Sequence, residues 1–127
     1  MPYASCHPNY YVTRPLVLKV FRQLRKLGFV AKANFSCCGT CASSETFEEA
    51  EETGKDAVAW WHHQDEDSYR RSGTLYIGFG HVDDHDDSTG EFGDQVGRTI
   101  AKLLVDAGLK VEWGGSSHQR IMVVGKE

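Results

Sequence analysis

The sequence predicts an α+β fold, a single two-layer sandwich with helices packed on one face of a mostly antiparallel sheet. Apolar residues recur at helical spacing in two segments, capping residues mark a further helix, and short apolar or alternating runs mark five strands. The elements follow in the order α-β-α-β-β-α-β-β, and consecutive strands favour antiparallel neighbours. A chain of 127 residues has the length of one domain, so we predict a single domain over residues 1–127.

The first predicted element is an amphipathic helix. Residues 1–12 are polar and punctuated by proline, and they are expected to form an N-terminal arm. Thr13 is a suitable cap for a helix that has Pro15 in its first turn. Apolar side chains then recur with the period of a helix until Gly28 ends it.

A strand, a second helix and another strand are predicted next. Residues 29–35 alternate between the two faces of an extended chain and predict the first strand. Ser43 and Ser44 are good helix caps, and the acidic residues behind them suit the positive end of a helix dipole. This helix is expected to run to about Gly54 on the surface. Residues 57–62 predict the second strand.

The remaining elements are a strand, a helix and a hairpin. Residues 64–73 are polar and predict a long turn, after which residues 74–80 predict the third strand. Apolar side chains between residues 92 and 107 mark the third helix. Residues 109–113 alternate, two glycines open a turn, and residues 121–124 return as the last strand.

Composition and charge restrict the partners and the compartment. The net charge is −4 and the pI is about 5.8, which argues against a nucleic-acid partner because phosphate backbones are bound by basic surfaces. No stretch is apolar for long enough to cross a membrane, and the first residues lack the pattern of a signal peptide. We therefore expect a cytoplasmic protein whose four cysteines are reduced.

The most distinctive chemistry is a thiol cluster, which we define as Cys37, Cys38 and Cys41. Cys38 and Cys41 form a C-x-x-C motif, so their sulfur atoms can meet within one turn. The cluster lies between a predicted strand and a predicted helix start, where free amides and the helix dipole stabilise a thiolate. Cys38 is expected to feel this effect most, with Cys41 as its partner.

Three interpretations of the thiol cluster are open. The C-G-x-C form resembles the sites of thioredoxin-like proteins. In that family a proline faces the dithiol, however, whereas all three prolines here precede the cluster, and the first element is a helix rather than a strand. The second interpretation is a zinc site, and the third is that the cysteines simply pack as small apolar side chains. The candidate zinc ligands are Cys37, Cys38, Cys41, His62 and His81.

Histidines and acidic residues supply further candidates. An imidazole such as His63, oriented by Asp65, could act as a general base, although a polar turn at a strand end explains the same residues. Residues 81–87 combine histidines with aspartates and could hold a divalent cation or engage a basic partner. The glycine and glutamate of a calcium-binding loop are not at the required offsets, so a solvated acidic loop is favoured.

Several segments resemble successive signatures of an uncharacterised bacterial domain family. They are residues 35–41 (FSCCGTC), 63–65 (HQD), 73–80 (GTLYIGFG), 107–115 (AGLKVEWGG) and the pair Arg120-Ile121. The resemblance covers most of the chain, and it implies a cytosolic protein of bacterial or bacteriophage origin with no assigned activity. It also implies that certain positions belong together, namely Cys37, Cys38, Cys41, Gln64 and Asp65. His62 and His85 fall outside its pattern, which weakens a zinc site built on them.

The sequence thus predicts a small cytosolic binding or regulatory domain of unknown function. Its Cys-rich pocket would lie at a strand-to-helix junction beside residues 63–65, and its ligand would be a protein or a small molecule. The competing hypotheses are a thiol oxidoreductase, a zinc-dependent hydrolase and an acidic interaction protein of phage type. For the enzyme hypotheses the catalytic candidates are Cys38, Cys41, His63 and Asp65.

Overall fold

A computed structural model describes residues 6–83 and 90–127, and it confirms the α+β class. The described residues form four helices and five strands rather than three helices and five strands. In chain order these are α1 (Pro8–Lys26), β1 (Val30–Lys32), α2 (Gly39–Thr53), β2 (Ala57–Trp60), α3 (His63–Ser72), β3 (Leu75–His81), α4 (Glu91–Asp106), β4 (Leu109–Glu112) and β5 (Ile121–Lys126). No helix within the described residues is long and apolar enough to cross a membrane.

The five strands form one mixed sheet in the order β1-β2-β3-β5-β4. β1 and β2 run parallel, with Val30 opposite Val58, and α2 is the crossover between them. The other neighbours in the sheet are antiparallel, as predicted for most of it. The parallel pair matters for the site, because the carboxyl ends of β1 and β2 meet at one edge of the sheet.

Helices cover both faces of the sheet, which corrects the predicted two-layer arrangement with helices on one face. α1 and α4 pack on the face that carries Ala59 and Trp61 of the β2 segment. α2 packs on the opposite face, against Val30, Val58 and Trp60. Alternate residues of this segment are therefore buried on opposite faces, as in strands enclosed between two layers of helices.

α1 begins at Pro8, six residues earlier than a cap at Thr13 predicts, so residues 8–12 are helical rather than part of an arm. The cap is His7, whose Nδ1 accepts a hydrogen bond from the backbone N–H of Asn9 at 3.1 Å. Thr13, the predicted cap, is buried in the helix, where its hydroxyl donates to the carbonyl of Asn9 at 2.6 Å. Proline at the first helical position explains the early start, since its fixed φ suits that position.

The polar segment 64–73, predicted as a turn, is the helix α3 followed by its terminal glycine. His62 and Asp65 form a reciprocal capping box at its start. Gly73 ends it with a φ of 76°, in the left-handed region that glycine favours. A Cβ at Gly73 would lie only 2.4 Å from Nδ1 of His7, so the close approach of α1 also requires glycine there.

Candidate metal and thiol site

The candidate site lies where the parallel strands end. The β1–α2 loop and the β2–α3 junction both leave the carboxyl ends of neighbouring parallel strands, so the first turns of α2 and α3 lie side by side. In open sheets this edge is where ligands commonly bind. α2 begins at Gly39, earlier than the serines predicted to cap it, so the thiol cluster lies at its N-cap and first turn.

Hydrogen bonds extend the β1–β2 pairing into the loop and fix its position. The backbone N–H of Phe35 donates to the carbonyl of Trp61 at 2.9 Å, and that of His63 donates to the carbonyl of Ser36 at 3.0 Å. Asn34 and Ser36 adopt positive φ values of 50° and 69°, which turn the chain sharply before the cysteines. The loop that leads into the thiol cluster thus contacts the segment 63–65, as predicted, through the hydrogen bond between Ser36 and His63.

The three sulfur atoms of the thiol cluster lie within 4.8 Å of one another. Cys38 occupies the N-cap of α2 with an extended backbone, and Cys41 follows in the first turn. Cys37 is exposed, while Cys38 and Cys41 are half-buried. Each cysteine offers one thiolate ligand, so this group could hold a metal ion.

The environment separates the two thiols of the C-x-x-C motif. The backbone N–H of Cys41 lowers the pKa of Cys38, and the thiols of Cys41 and Cys37 lower it further. The Cys38 side chain nevertheless forms no capping hydrogen bond that meets normal geometry. In return, the hydrogen bond to Cys38 raises the pKa of Cys41 to about 11. Cys38 is therefore the first of the pair to become a thiolate, and Cys41 is a hydrogen-bond donor to it.

His62 lies beside the thiol turn but does not join the sulfur group. A Cβ built on Gly39 would lie 3.6 Å from Nε2 of His62. Both ring nitrogens lie next to Asp65: Nδ1 accepts from its backbone N–H at 3.2 Å, and Nε2 lies 3.1 Å from its Oδ2. Burial lowers the pKa of His62, Asp65 opposes this effect and Arg120 adds to it, so the imidazole is neutral; its Nδ1 is engaged as the cap of α3.

The other predicted histidines are placed elsewhere. His63 is exposed, and its Nδ1 lies 2.7 Å from Oδ1 of Asn34, so Asp65 orients its neighbour His62 and not His63. His81 pairs with Ala57 at the far end of β2 and stacks on Phe92, so the structure does not bring it to the sulfurs. In the acidic loop, residues 84–87 lie outside the described residues.

An arginine from the C-terminal hairpin completes the site, and sequence reasoning missed its role. Arg120 donates two hydrogen bonds to Asp65, at 3.0 and 2.6 Å, and one to the carbonyl of Tyr76 at 2.8 Å. Its guanidinium lies over the Trp60 ring, 5.0 Å from the centroid. The Trp60 ring in turn packs on Gly78, where a Cβ would lie 2.4 Å from it. Only the Arg120-Ile121 resemblance drew attention to this position.

A buried carboxylate behind the site was also missed. The side chain of Glu66 is 1% exposed and accepts hydrogen bonds from Tyr10 at 2.5 Å, Trp61 at 2.9 Å and Arg14 at 3.0 Å. Burial opposes its ionisation more than any other single effect, but these donors together hold the pKa of Glu66 below its usual value. Glu66, which follows Asp65 in the sequence, thereby connects α1 and α3 to the end of β2.

Comparison with known proteins identifies the family without an activity. No curated protein and no solved structure matches the chain. Residues 17–126 match the profile of a family described as a domain of unknown function, DUF6891. This range includes every residue of the site and all the segments on which the resemblance to an uncharacterised family rested. The chain belongs to the DUF6891 family.

Proposed function

We propose that this domain binds a thiophilic metal ion through Cys37, Cys38 and Cys41. One observation carries the proposal, namely that the three sulfurs lie within 4.8 Å of one another. Thiolates are the ligands that zinc and monovalent copper prefer, and zinc is the cofactor that the sequence suggested. With three protein ligands, a bound zinc ion would keep one position for water or a further ligand, the arrangement found in catalytic rather than structural sites.

The surroundings support thiolate formation at this position. The first turn of α2 directs free backbone amides toward the cluster, and the positive end of the helix dipole favours negative charge there. The four cysteines are free thiols, which suits a reducing compartment, and we propose a cytoplasmic location on that ground. Recovery of the native protein in an extracytoplasmic fraction after cell fractionation would contradict that location.

Elemental analysis and metal titration test the metal proposal. The reduced protein should take up one equivalent of zinc or cadmium, and cadmium should produce the ultraviolet charge-transfer band of thiolate ligands. Cys37→Ser, Cys38→Ser and Cys41→Ser should each weaken cadmium binding by about 100-fold, because each ligand contributes an intramolecular bond. Cys6→Ser is the matched control, since Cys6 lies outside the cluster, and it should bind as the unaltered chain does. A folded protein that binds neither ion excludes the proposal.

Thiol–disulfide exchange is the second candidate, and the placement of Cys38 at the N-cap with Cys41 in the first turn favours it. The Cys38 thiolate would attack a substrate disulfide and release one thiol. Cys41 would then attack the mixed disulfide and release the second thiol, leaving a Cys38–Cys41 disulfide.

Alkylation tests this candidate directly. The lowered pKa of Cys38 and the pKa of Cys41 near 11 predict that iodoacetamide modifies Cys38 first at neutral pH. Peptide mass spectrometry after brief exposure identifies the modified position, with Cys6 as the internal reference. Equal rates at Cys38 and Cys41, or failure of glutathione disulfide to oxidise the pair, would exclude the exchange reaction.

A further inference from the structure

The thiol cluster offers three ligands of one kind. Within the described residues, no imidazole or carboxylate joins the three sulfurs. His62, at the neighbouring junction, uses Nδ1 to accept from the backbone N–H of Asp65, and its Nε2 lies 3.1 Å from Oδ2 of Asp65. All three sulfurs come from five consecutive residues at one helix start, so they approach a bound centre from one side. Such a set suits a centre that forms three bonds in a pyramid and needs no fourth ligand.

Charge favours a trivalent centre. Three thiolates carry three negative charges, so a divalent ion leaves one of them uncompensated and a monovalent ion leaves two. The cations that flank the two loops are already paired, Lys32 with Glu49 at 3.1 Å and Arg120 with Asp65 at 2.6 Å. Glu45 lies on the cluster side of α2, where its Oε1 is 3.5 Å from Oγ of Ser36. The Glu45 carboxylate offsets the preference of the α2 dipole for negative charge, so a neutral complex needs no further counter-charge at this position.

We propose that the thiol cluster binds trivalent arsenic, or the chemically similar trivalent antimony, as a neutral three-thiolate complex. This inference rests on the proposed function and names the class of ion for the same site. Arsenous acid would react with the three thiols so that three As–O bonds break and three As–S bonds form. Three water molecules leave, each carrying one thiol proton, and arsenic stays trivalent throughout, so no oxidant or reductant is required.

The exposure of the three cysteines predicts the order in which the As–S bonds form. Cys37 is exposed, so it is the sulfur that an uncharged solute reaches first. Cys38 and Cys41 are half-buried on the first turn of α2 and already face one another. The second and third bonds would therefore form within the molecule, at the high effective concentration that the helix start provides. Cys37 distinguishes this site from a simple dithiol, and its replacement is the decisive variant.

Sodium arsenite is the probe, with the reduced full chain and mass spectrometry under native conditions. We expect one adduct whose mass corresponds to the gain of one arsenic and the loss of three protons. Cys6 should stay free to react with an alkylating reagent. Phenylarsine oxide, which needs only two thiols, serves as the dithiol probe. Cys37→Ser should lose about 100-fold in arsenite affinity while still binding phenylarsine oxide, and Cys6→Ser should match the unaltered chain for both.

The outcomes separate this inference from the proposed function. Cadmium binding without an arsenite adduct overturns the trivalent class and leaves the metal site intact. Binding of neither probe by a folded protein overturns both. Arsenite binding by Cys37→Ser that equals that of the unaltered chain overturns the three-thiol complex, because two sulfurs would then suffice. Circular dichroism of each variant confirms that the helices are retained, and exposed Cys37 is the position where serine disturbs packing least.

Discussion

Glu66→Ala is expected to lower the free energy of unfolding by about 3–5 kcal/mol, the range found when one partner of a buried charge network is removed. The side chain of Glu66 is 1% exposed, and its loss leaves the guanidinium of Arg14 and the indole N–H of Trp61 without their acceptor. A cavity forms at the junction of α1, α3 and β2 as well. Urea denaturation followed by circular dichroism measures the change.

Asp67→Ala is the control for this experiment. Asp67 is an exposed acid on the same helix, and its ion pair with Arg70 should contribute no more than about 1 kcal/mol. Similar losses for the two variants would show that Glu66 does not anchor the helix.

The stabilisation of the fold by Glu66 should also depend on pH. Its folded pKa lies below the usual value of 4.5, so its ionised form stabilises the protein above that pH. This stabilisation is lost as the pH falls through the folded pKa. The difference in stability between the unaltered chain and Glu66→Gln should therefore narrow below pH 4.5.

Asp65→Ala is expected to lower the free energy of unfolding by about 2–3 kcal/mol, since it removes both a helix cap and an ion pair. Asp65 accepts from the backbone N–H of His62 at 3.2 Å and from two nitrogens of Arg120. Without it, α3 loses its capping box and Arg120 loses the partner that holds it over Trp60. Thermal and urea unfolding measure the loss.

Asp65→Asn separates the two contributions. Asparagine keeps an oxygen that can accept from the N–H of His62, but it removes the charge that pairs with Arg120. We expect a loss about half as large as for alanine. If the free energy of unfolding of Asp65→Ala lies within about 0.5 kcal/mol of that of the unaltered chain, the contact with Arg120 does not contribute to stability.

Most of the fold could be predicted because most of its elements bury apolar side chains. The five strands are short apolar runs between turn residues, and α4 has a regular apolar stripe. α3 is different, because two of its three buried residues are the acids Asp65 and Glu66, and periodicity of apolar residues cannot detect such a helix. The apolar residues on both faces of β2 are buried because α2 covers the second face, whereas the sequence predicts helices on one face only.

The candidate site was only partly predictable for a related reason. Close spacing in sequence identified the cysteines, and strand ends suggested that the thiol segment meets residues 63–65. The ligand role suggested for His62 and His81 depended on which strand ends adjoin, and the register of β2 with β3 places His81 at the opposite end. Arg120 is 55 residues from Asp65, so no local pattern could pair them.

The position of Arg120 has a consequence for how the protein matures. The thiol cluster lies in the first third of the chain and Asp65 near its midpoint, but Arg120, which contacts both Asp65 and Trp60, lies just before the last strand. The thiols leave the ribosome well before the β4–β5 hairpin does. The nascent chain therefore exposes reactive sulfurs before the surrounding sheet has formed. The site becomes complete only after the last two strands have joined the sheet, which links its competence to the folding of that hairpin.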